Sequence, residues 1–200
     1  MRHSAQKNGR WSDHYTQRAK KEKYPARSVY KLQEIQQRFS VIQRGDRVLD
    51  LGCAPGSWLL YAARLTTARG SVAGIDLNPV TTPLPGHVAV YTGDILNPDK
   101  ALVAAIGKGY RVVLSDMAPA TTGQKDIDAA RSYNLCQAAL DIAVNVLLPG
   151  GNFVCKIFQG SDYKAFLDLV KIQFKKTKTF KPHSSRKASK EIFVIGSMKV

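Results

Sequence analysis

The chain has 200 residues, which suits one domain with a real core, and its 44% hydrophobic and 22% charged residues are those of an ordinary globular protein. Thirty Lys and Arg against fifteen Asp and Glu give a formal net charge of +15, and no apolar run is long enough to span a membrane. Three cysteines without Cys-x-x-Cys spacing and four scattered histidines point to neither a disulfide framework nor a zinc site, so no metal is expected.

In chain order, residues 1–24 are polar and basic, with Lys20, Lys21 and Lys23 close together; they predict an arm that is flexible or ordered only on a partner. This start lacks the apolar stretch of a signal peptide, which predicts a cytoplasmic protein. Residues 25–200 read as one domain. From Ser28, the spacing of Val29, Leu32, Ile35 and Phe39 predicts a helix, with Ser28 as its cap and Gln33-Glu34 following soon after. Short apolar runs predict strands at 47–52, 71–76, 87–94, 110–116 and 152–158, with two more near 177–181 and 192–197. Helices are predicted through 58–63, 98–106, 127–148 (closed by Pro149-Gly150-Gly151) and 162–174. Alternating strands and helices specify an α/β domain whose parallel sheet carries helices on both faces.

The charge is unevenly placed. Residues 1–31 carry nine basic and two acidic side chains, residues 164–190 carry nine and one, and residues 32–163 are balanced at eleven each. A neutral body with two basic stretches suits a polyanion, most simply a nucleic-acid backbone.

The first strand runs into Asp50-Leu51-Gly52-Cys53-Ala54-Pro55-Gly56-Ser57-Trp58. Glycines at 52 and 56 let the backbone turn sharply and approach a ligand where strand meets helix. Asp76, Asp94 and Asp116 close later strands as Asp50 closes the first, and side chains at those ends converge on one crevice. Asp76 stands twenty residues after Gly56, the spacing of a carboxylate that accepts adenosyl ribose hydroxyls. A dinucleotide fingerprint needs a middle glycine where Ala54-Pro55 stand, and Asp50 sits badly beside a diphosphate. A cofactor bearing a cationic sulfonium and an amino group fits the acidic crevice better than NAD.

Five motifs in order and in register, ARSVYKLQEI (26–35), DLGCAPGSW (50–58), SDMAP (115–119), CKIFQG (155–160) and SSRKASKEIF (184–193), resemble the FtsJ/RlmE family of ribose 2′-O-methyltransferases. The resemblance implies a Rossmann-like S-adenosyl-L-methionine-dependent methyltransferase fold, with a seven-stranded sheet that includes one antiparallel strand. It implies a catalytic tetrad of Lys31, Asp116, Lys156 and Glu191, and cofactor contacts at Gly56, Trp58, Asp76, Asp94 and Asp116. It further implies RNA as the partner, most closely a uridine of large-subunit (23S) ribosomal RNA, and a monomer away from membranes. Ser57 departs from the family, whose members often carry a second glycine there.

The tetrad makes chemical sense on its own terms. A ribose hydroxyl is a poor nucleophile whose proton must leave as the oxygen attacks the methyl carbon. A lysine ordinarily holds its proton to about 10.4, and a neighbouring ammonium together with desolvation lowers that value. Lys156 lies inside the apolar run Phe153–Phe158, where a lysine is costly to bury without a purpose. Tyr30, Phe158 and Phe193 adjoin tetrad members and offer rings for a base, and Arg186 and Lys187 offer cations for phosphate. The rival readings are the same chemistry on transfer RNA, and an RNA-binding assembly factor with a vestigial cofactor site.

Overall fold

A computed structural model describes residues 14–186 and 188–200. Helical residues 14–21 (α1) lead through a turn to α2 (Val29–Phe39); β1 (Arg47–Leu51), α3 (Ser57–Thr66), β2 (Ser71–Asp76) and β3 (Val88–Thr92) follow. Then come α4 (Lys100–Ile106), β4 (Tyr110–Ser115), α5 (Lys125–Val146), β5 (Leu147–Phe158), α6 (Tyr163–Gln173), β6 (Phe174–Phe180) and β7 (Glu191–Lys199).

The strands form one seven-stranded sheet in the order β3-β2-β1-β4-β5-β7-β6. β1 to β5 pair in parallel, and β7 runs antiparallel between β5 and β6. One face is covered by α4, α5 and α6, whose Leu102, Ala139, Phe166 and Val170 pack on Leu49, Val113 and Phe153. The other is covered by α2 and α3, whose Leu32, Ile35, Leu59 and Ala62 pack on Val48, Val112, Val154 and Phe193. Both faces of the central strands are thus removed from water, which is why β1 and β4 read as nearly continuous apolar runs. The edge strand β6 exposes Lys175, Lys176 and Lys178, charges that discourage pairing with another sheet. No helix among the described residues is long and apolar enough to cross a membrane.

Three local expectations give way to packing. The arm expected over 1–24 is helical over 14–21, and its residues 1–13 lie outside the described residues. Ala19 and Tyr24 are buried with Val29 and Tyr30, and Arg18 lies 4.5 Å from the centroid of Tyr30. A few apolar contacts and a cation over a ring hold a segment whose sequence shows no apolar stripe. Pro149-Gly150-Gly151 does not simply close α5: β5 already begins at Leu147, and the three residues bulge between the pairs Tyr110↔Leu147 and Val112↔Asn152. Ser28 makes no side-chain cap; Glu34 instead binds the backbone of His183 and Ser184 at 2.6 and 2.8 Å.

Candidate active site

The carboxyl ends of β2 and β4 and the turn after β3 open on a crevice of about 310 Å³. Asp76, Asp94 and Asp116 line it, with Leu77, Leu96 and Met117 as apolar walls and, among the described residues, no lysine or arginine. The acids are held before any ligand arrives. Asp76 Oδ2 accepts from the Ala54 N–H at 2.9 Å and Oδ1 from the Asn78 N–H at 2.8 Å. Asp94 Oδ1 accepts from the Leu96 N–H at 2.8 Å. Each carboxylate offers about four lone-pair positions, so both keep capacity for hydroxyl or amine donors. Gly52, at φ +77°, has no room for a side chain: a Cβ would stand 2.3 Å from Met117 Cγ. Leu77, Leu96 and Met117 were not singled out in the sequence, although each directly follows or lies two residues beyond a strand-end acid.

Three residues expected at this ligand site lie behind it. Asp50 sits within β1, 1% exposed, and its Oδ2 has no hydrogen-bond partner. Burial, reinforced by the charges of Asp116 and Asp76, holds its carboxyl far above the ordinary aspartate range. Gly56 is not in the crevice wall; at φ +106° it turns the chain into α3. The Trp58 indole is core, stacked on Phe193 at 5.9 Å and donating from Nε1 to the Ser28 carbonyl at 2.9 Å. Trp58 reaches only a side recess of about 50 Å³, which it shares with Gly52, Ala54 and Asp116. Beside it, the Ser57 hydroxyl accepts from the Ala26 N–H at 2.7 Å and donates to the Ala26 carbonyl at 3.1 Å.

The four tetrad residues come from four separate elements. Lys156 pairs with Phe193 and Phe158 with Glu191 across β5 and β7, so Lys156 and Glu191 share one face of the sheet. That face is the one α2 covers, which brings Lys31 down onto it. Asp116, one residue beyond β4, completes the group and also lines the crevice. The charges alternate. Lys156 Nζ stands 3.1 Å from Asp116 Oδ1 and donates to the Asp116 carbonyl at 2.6 Å. Lys31 Nζ stands 3.4 Å from the same Oδ1 and 2.9 Å from Glu191 Oε2. Burial alone would push the Glu191 carboxyl up, but the Lys31 ammonium and its hydrogen bond hold it below the ordinary glutamate range. Phe193 is the buried floor under Lys31, whose Nζ lies 5.8 Å from the ring centroid. It is therefore no open platform for a base, and neither is Tyr30, which is 2% exposed. Lys187 lies outside the described residues.

A doubly covered sheet of this strand order, with an acidic crevice at its carboxyl end and a lysine-acid cluster at the rim, defines a Rossmann-like methyltransferase. A family model described as FtsJ-like methyltransferase matches residues 24–199, and the chain belongs to that family. Ribosomal RNA large subunit methyltransferase E of Desulforapulum autotrophicum is 60% identical over 190 residues, covering 95% of this chain and 94% of that protein. The enzyme of the same name from Desulfosudis oleivorans is 50% identical over 199 residues, covering 100% and 96%. Among solved structures, a Plasmodium falciparum protein described as a ribosomal RNA methyltransferase superposes with a TM-score of 0.76 at 26% identity, covering 88% of this chain and 98% of that one.

Proposed function

We propose that the protein transfers a methyl group from S-adenosyl-L-methionine to a ribose 2′-hydroxyl of large-subunit ribosomal RNA, at a uridine, in the cytoplasm. The observation that carries this reading is the alternating chain Lys156–Asp116–Lys31–Glu191 at the rim of the acidic crevice. The names of the relatives at 60% and 50% identity support the substrate class. The crevice chemistry supports the cofactor: three carboxylates and, among the described residues, no cation suit a sulfonium, an amine and ribose hydroxyls, and do not suit a diphosphate. Asp76 would hold the ribose hydroxyls, Asp94 the base, and Asp116 the part nearest the tetrad. When bound, the cofactor supplies an electrophilic methyl carbon.

The chain's own residues supply the nucleophile. Lys156 takes the proton of the 2′-hydroxyl at Nζ as that oxygen attacks. Asp116 aims the amine through its carboxylate and its carbonyl, which together fix where Nζ points. Lys31 is anchored between two acids and stands beside the reacting oxygen. Glu191, held ionised, keeps Lys31 in that position. Buried, prearranged charges of this kind act strongly because water does not screen them.

The test is to compare ribose-methylation maps of ribosomal RNA from cells with and without the protein, alongside transfer of labelled methyl to that RNA in vitro. One 2′-O-methyl uridine should disappear from the large-subunit RNA and return on treatment with the protein. A methyl group found on a base, or only on transfer RNA, would overturn the reading.

A further inference from the structure

The edge of the sheet carries cations that the fold itself does not use. Lys164 and Lys171 of α6 are both paired with Asp168, at 2.7 and 2.8 Å. Lys176 and Lys178 of β6 are exposed, and among the described residues neither has a carboxylate or a hydrogen-bond partner. Arg38, exposed in the last turn of α2, has only rings beside it among the described residues. Its guanidinium lies 5.8 Å from the centroid of Phe39 and 5.3 Å from that of Phe180, the last residue of β6. The two rings meet edge-on at 5.7 Å, which fixes Arg38 at the end of β6.

Sheet register ties these cations to the tetrad. Phe180 pairs with Phe193, and Phe193 with Lys156, in one row across β6, β7 and β5. Directly opposed residues share a face, so the ring beneath Arg38 stands on the tetrad's face. It is two strand spacings, about 10 Å, from the Lys156 position. Helix α2 gives the same separation independently. Arg38 comes seven residues after Lys31, on the same side of the helix and about 10 Å along its axis. Glu34 lies between them, with its two carboxylate oxygens engaged by the His183 and Ser184 N–H groups. Lys178 opposes Ile195 and Lys176 opposes Ser197, so both continue on that face, each about 7 Å further along the strand. Three unpaired cations thus lead away from the reacting centre in regular steps. A nucleic-acid strand, with one negative charge on each nucleotide, is the partner that such a row fits.

We infer that Arg38, Lys178 and Lys176 bind backbone phosphates of the ribosomal RNA a few nucleotides from the target ribose. The inference rests on the RNA methyltransferase reading above and adds the path of the RNA: past the end of α2 and onto the β6 edge. Lysines on an edge strand also deter pairing with another sheet, but that role is local to β6 and has no need of Arg38. Each cation that neutralises a phosphate contributes about 0.7–0.9 to the slope of log affinity against log salt, the lower figure for single strands.

The experiment uses the full chain, transcribed large-subunit ribosomal RNA, binding over a salt series and labelled methyl transfer. Lys176→Gln with Lys178→Gln should flatten the salt slope by about 1.4–1.8 and raise KM for RNA roughly tenfold or more, acting on KM rather than on kcat. Lys164→Gln with Lys171→Gln removes the same formal charge from α6 and should keep the wild-type slope and KM. Arg38→Gln should flatten the slope by about 0.7–0.9, and Arg38→Lys should restore it, because a phosphate contact of this kind needs the charge. Cofactor affinity, by calorimetry, should stay at the wild-type value in all four variants. Loss of two edge lysines could let β6 pair with another copy; acetylation of lysines in the wild-type protein, with and without RNA, then decides. Protection of Lys176 and Lys178 by RNA, with Lys164 and Lys171 still reactive, supports the path. Equal reactivity of Lys176 and Lys178 with and without RNA overturns it. So does a wild-type slope in the β6 double variant, or an equal loss in the α6 one. A wild-type protein that methylates no RNA would instead overturn the reading on which the path depends.

Discussion

The acids of the crevice and the acids of the tetrad are satisfied in opposite ways. Asp76 and Asp94 are held by backbone N–H groups, neutral donors that fix direction without cancelling charge. Asp116 and Glu191 are held by the side-chain nitrogens of Lys31 and Lys156. Among the described residues the crevice therefore presents uncancelled negative charge to a ligand, whereas the tetrad pairs each acid with a lysine. One is built to bind, the other to hold a reacting oxygen among groups that need not rearrange. Asp116 alone belongs to both, so it couples cofactor position to amine position.

The sharpest break in this comparison is at Lys156. Arginine keeps charge and donors but stays protonated at any usable pH, so it can serve as a clamp and not as a base. Lys156→Arg should lose about 10²–10⁴-fold in single-turnover rate, the worth of a general base, while still binding cofactor and RNA. The wild-type rate should climb with pH and level off. A flat wild-type profile from about pH 6 to 10, together with substantial Lys156→Arg activity, would leave only the clamp, because arginine stays charged across that whole range.

The crevice half of the comparison rests on Asp76. Removing its carboxylate in Asp76→Ala should weaken S-adenosyl-L-methionine by about 1.5–3 kcal/mol, the scale of hydrogen bonds to a charged acceptor. Calorimetric titration reads this directly, and unchanged affinity would strike Asp76 from the ligand site.

Asp50 and Glu191 sharpen the contrast through pH. Glu191 has its folded pKa lowered by Lys31, so its stabilisation is present above the ordinary glutamate value and is lost as pH falls through the folded one. Asp50 is raised by burial, so its contribution has the opposite sign: present at acid pH, and lost as pH rises through the folded value. Glu191→Gln should therefore flatten the acid limb of a denaturant-derived stability profile. Asp50→Asn should flatten the alkaline side and, at neutral pH, gain on the order of 1–2 kcal/mol, the scale of an unpaired buried polar group. A steeper alkaline decline in Asp50→Asn would show that the unpartnered oxygen is not the source.

Much of this site was legible because chemistry left local traces. Strand-end acids mark the crevice in sequence, and Lys156 stands out as a cation inside an apolar strand. Lys31 and Glu191, 160 residues apart, carry no such trace; the family motifs single them out, and the β5–β7 register brings them together. Trp58 was misplaced because an aromatic beside a glycine-rich turn reads the same whether it faces ligand or core, and only its stack on Phe193 decides. Helix α1 was missed because its order comes from Tyr30 and Tyr24 rather than from periodicity within 14–21. The Ser28 cap does not form because Ser28 itself takes helical angles, φ −58° and ψ −22°, rather than the extended ones a side-chain cap needs, and no local pattern reveals this.

Ser57 joins the two regions and gives the smallest effect. Its hydroxyl is on the first residue of α3, beside the glycine-rich turn, and exchanges two hydrogen bonds with Ala26, five residues before Lys31. The link ties the helix of the cofactor side to the segment that delivers the tetrad's first lysine. Glycine there, the residue the family resemblance leads one to expect, removes both bonds at once. Ala26 is half-buried, so water can replace part of what is lost. Ser57→Gly should therefore cost about 1 kcal/mol of stability, the net worth of one such bond, seen as a modest fall in melting temperature. Because Gly56 already turns the chain at φ +106°, a second glycine adds little freedom the turn needs. If Ser57 also positions Lys31 through Ala26, the variant should lose a few-fold in single-turnover rate, and Ser57→Thr should recover more of it than Ser57→Ala, because only threonine keeps the hydroxyl. Equal rates in glycine, alanine and threonine variants would confine Ser57 to stability and leave the two regions coupled through Asp116 alone.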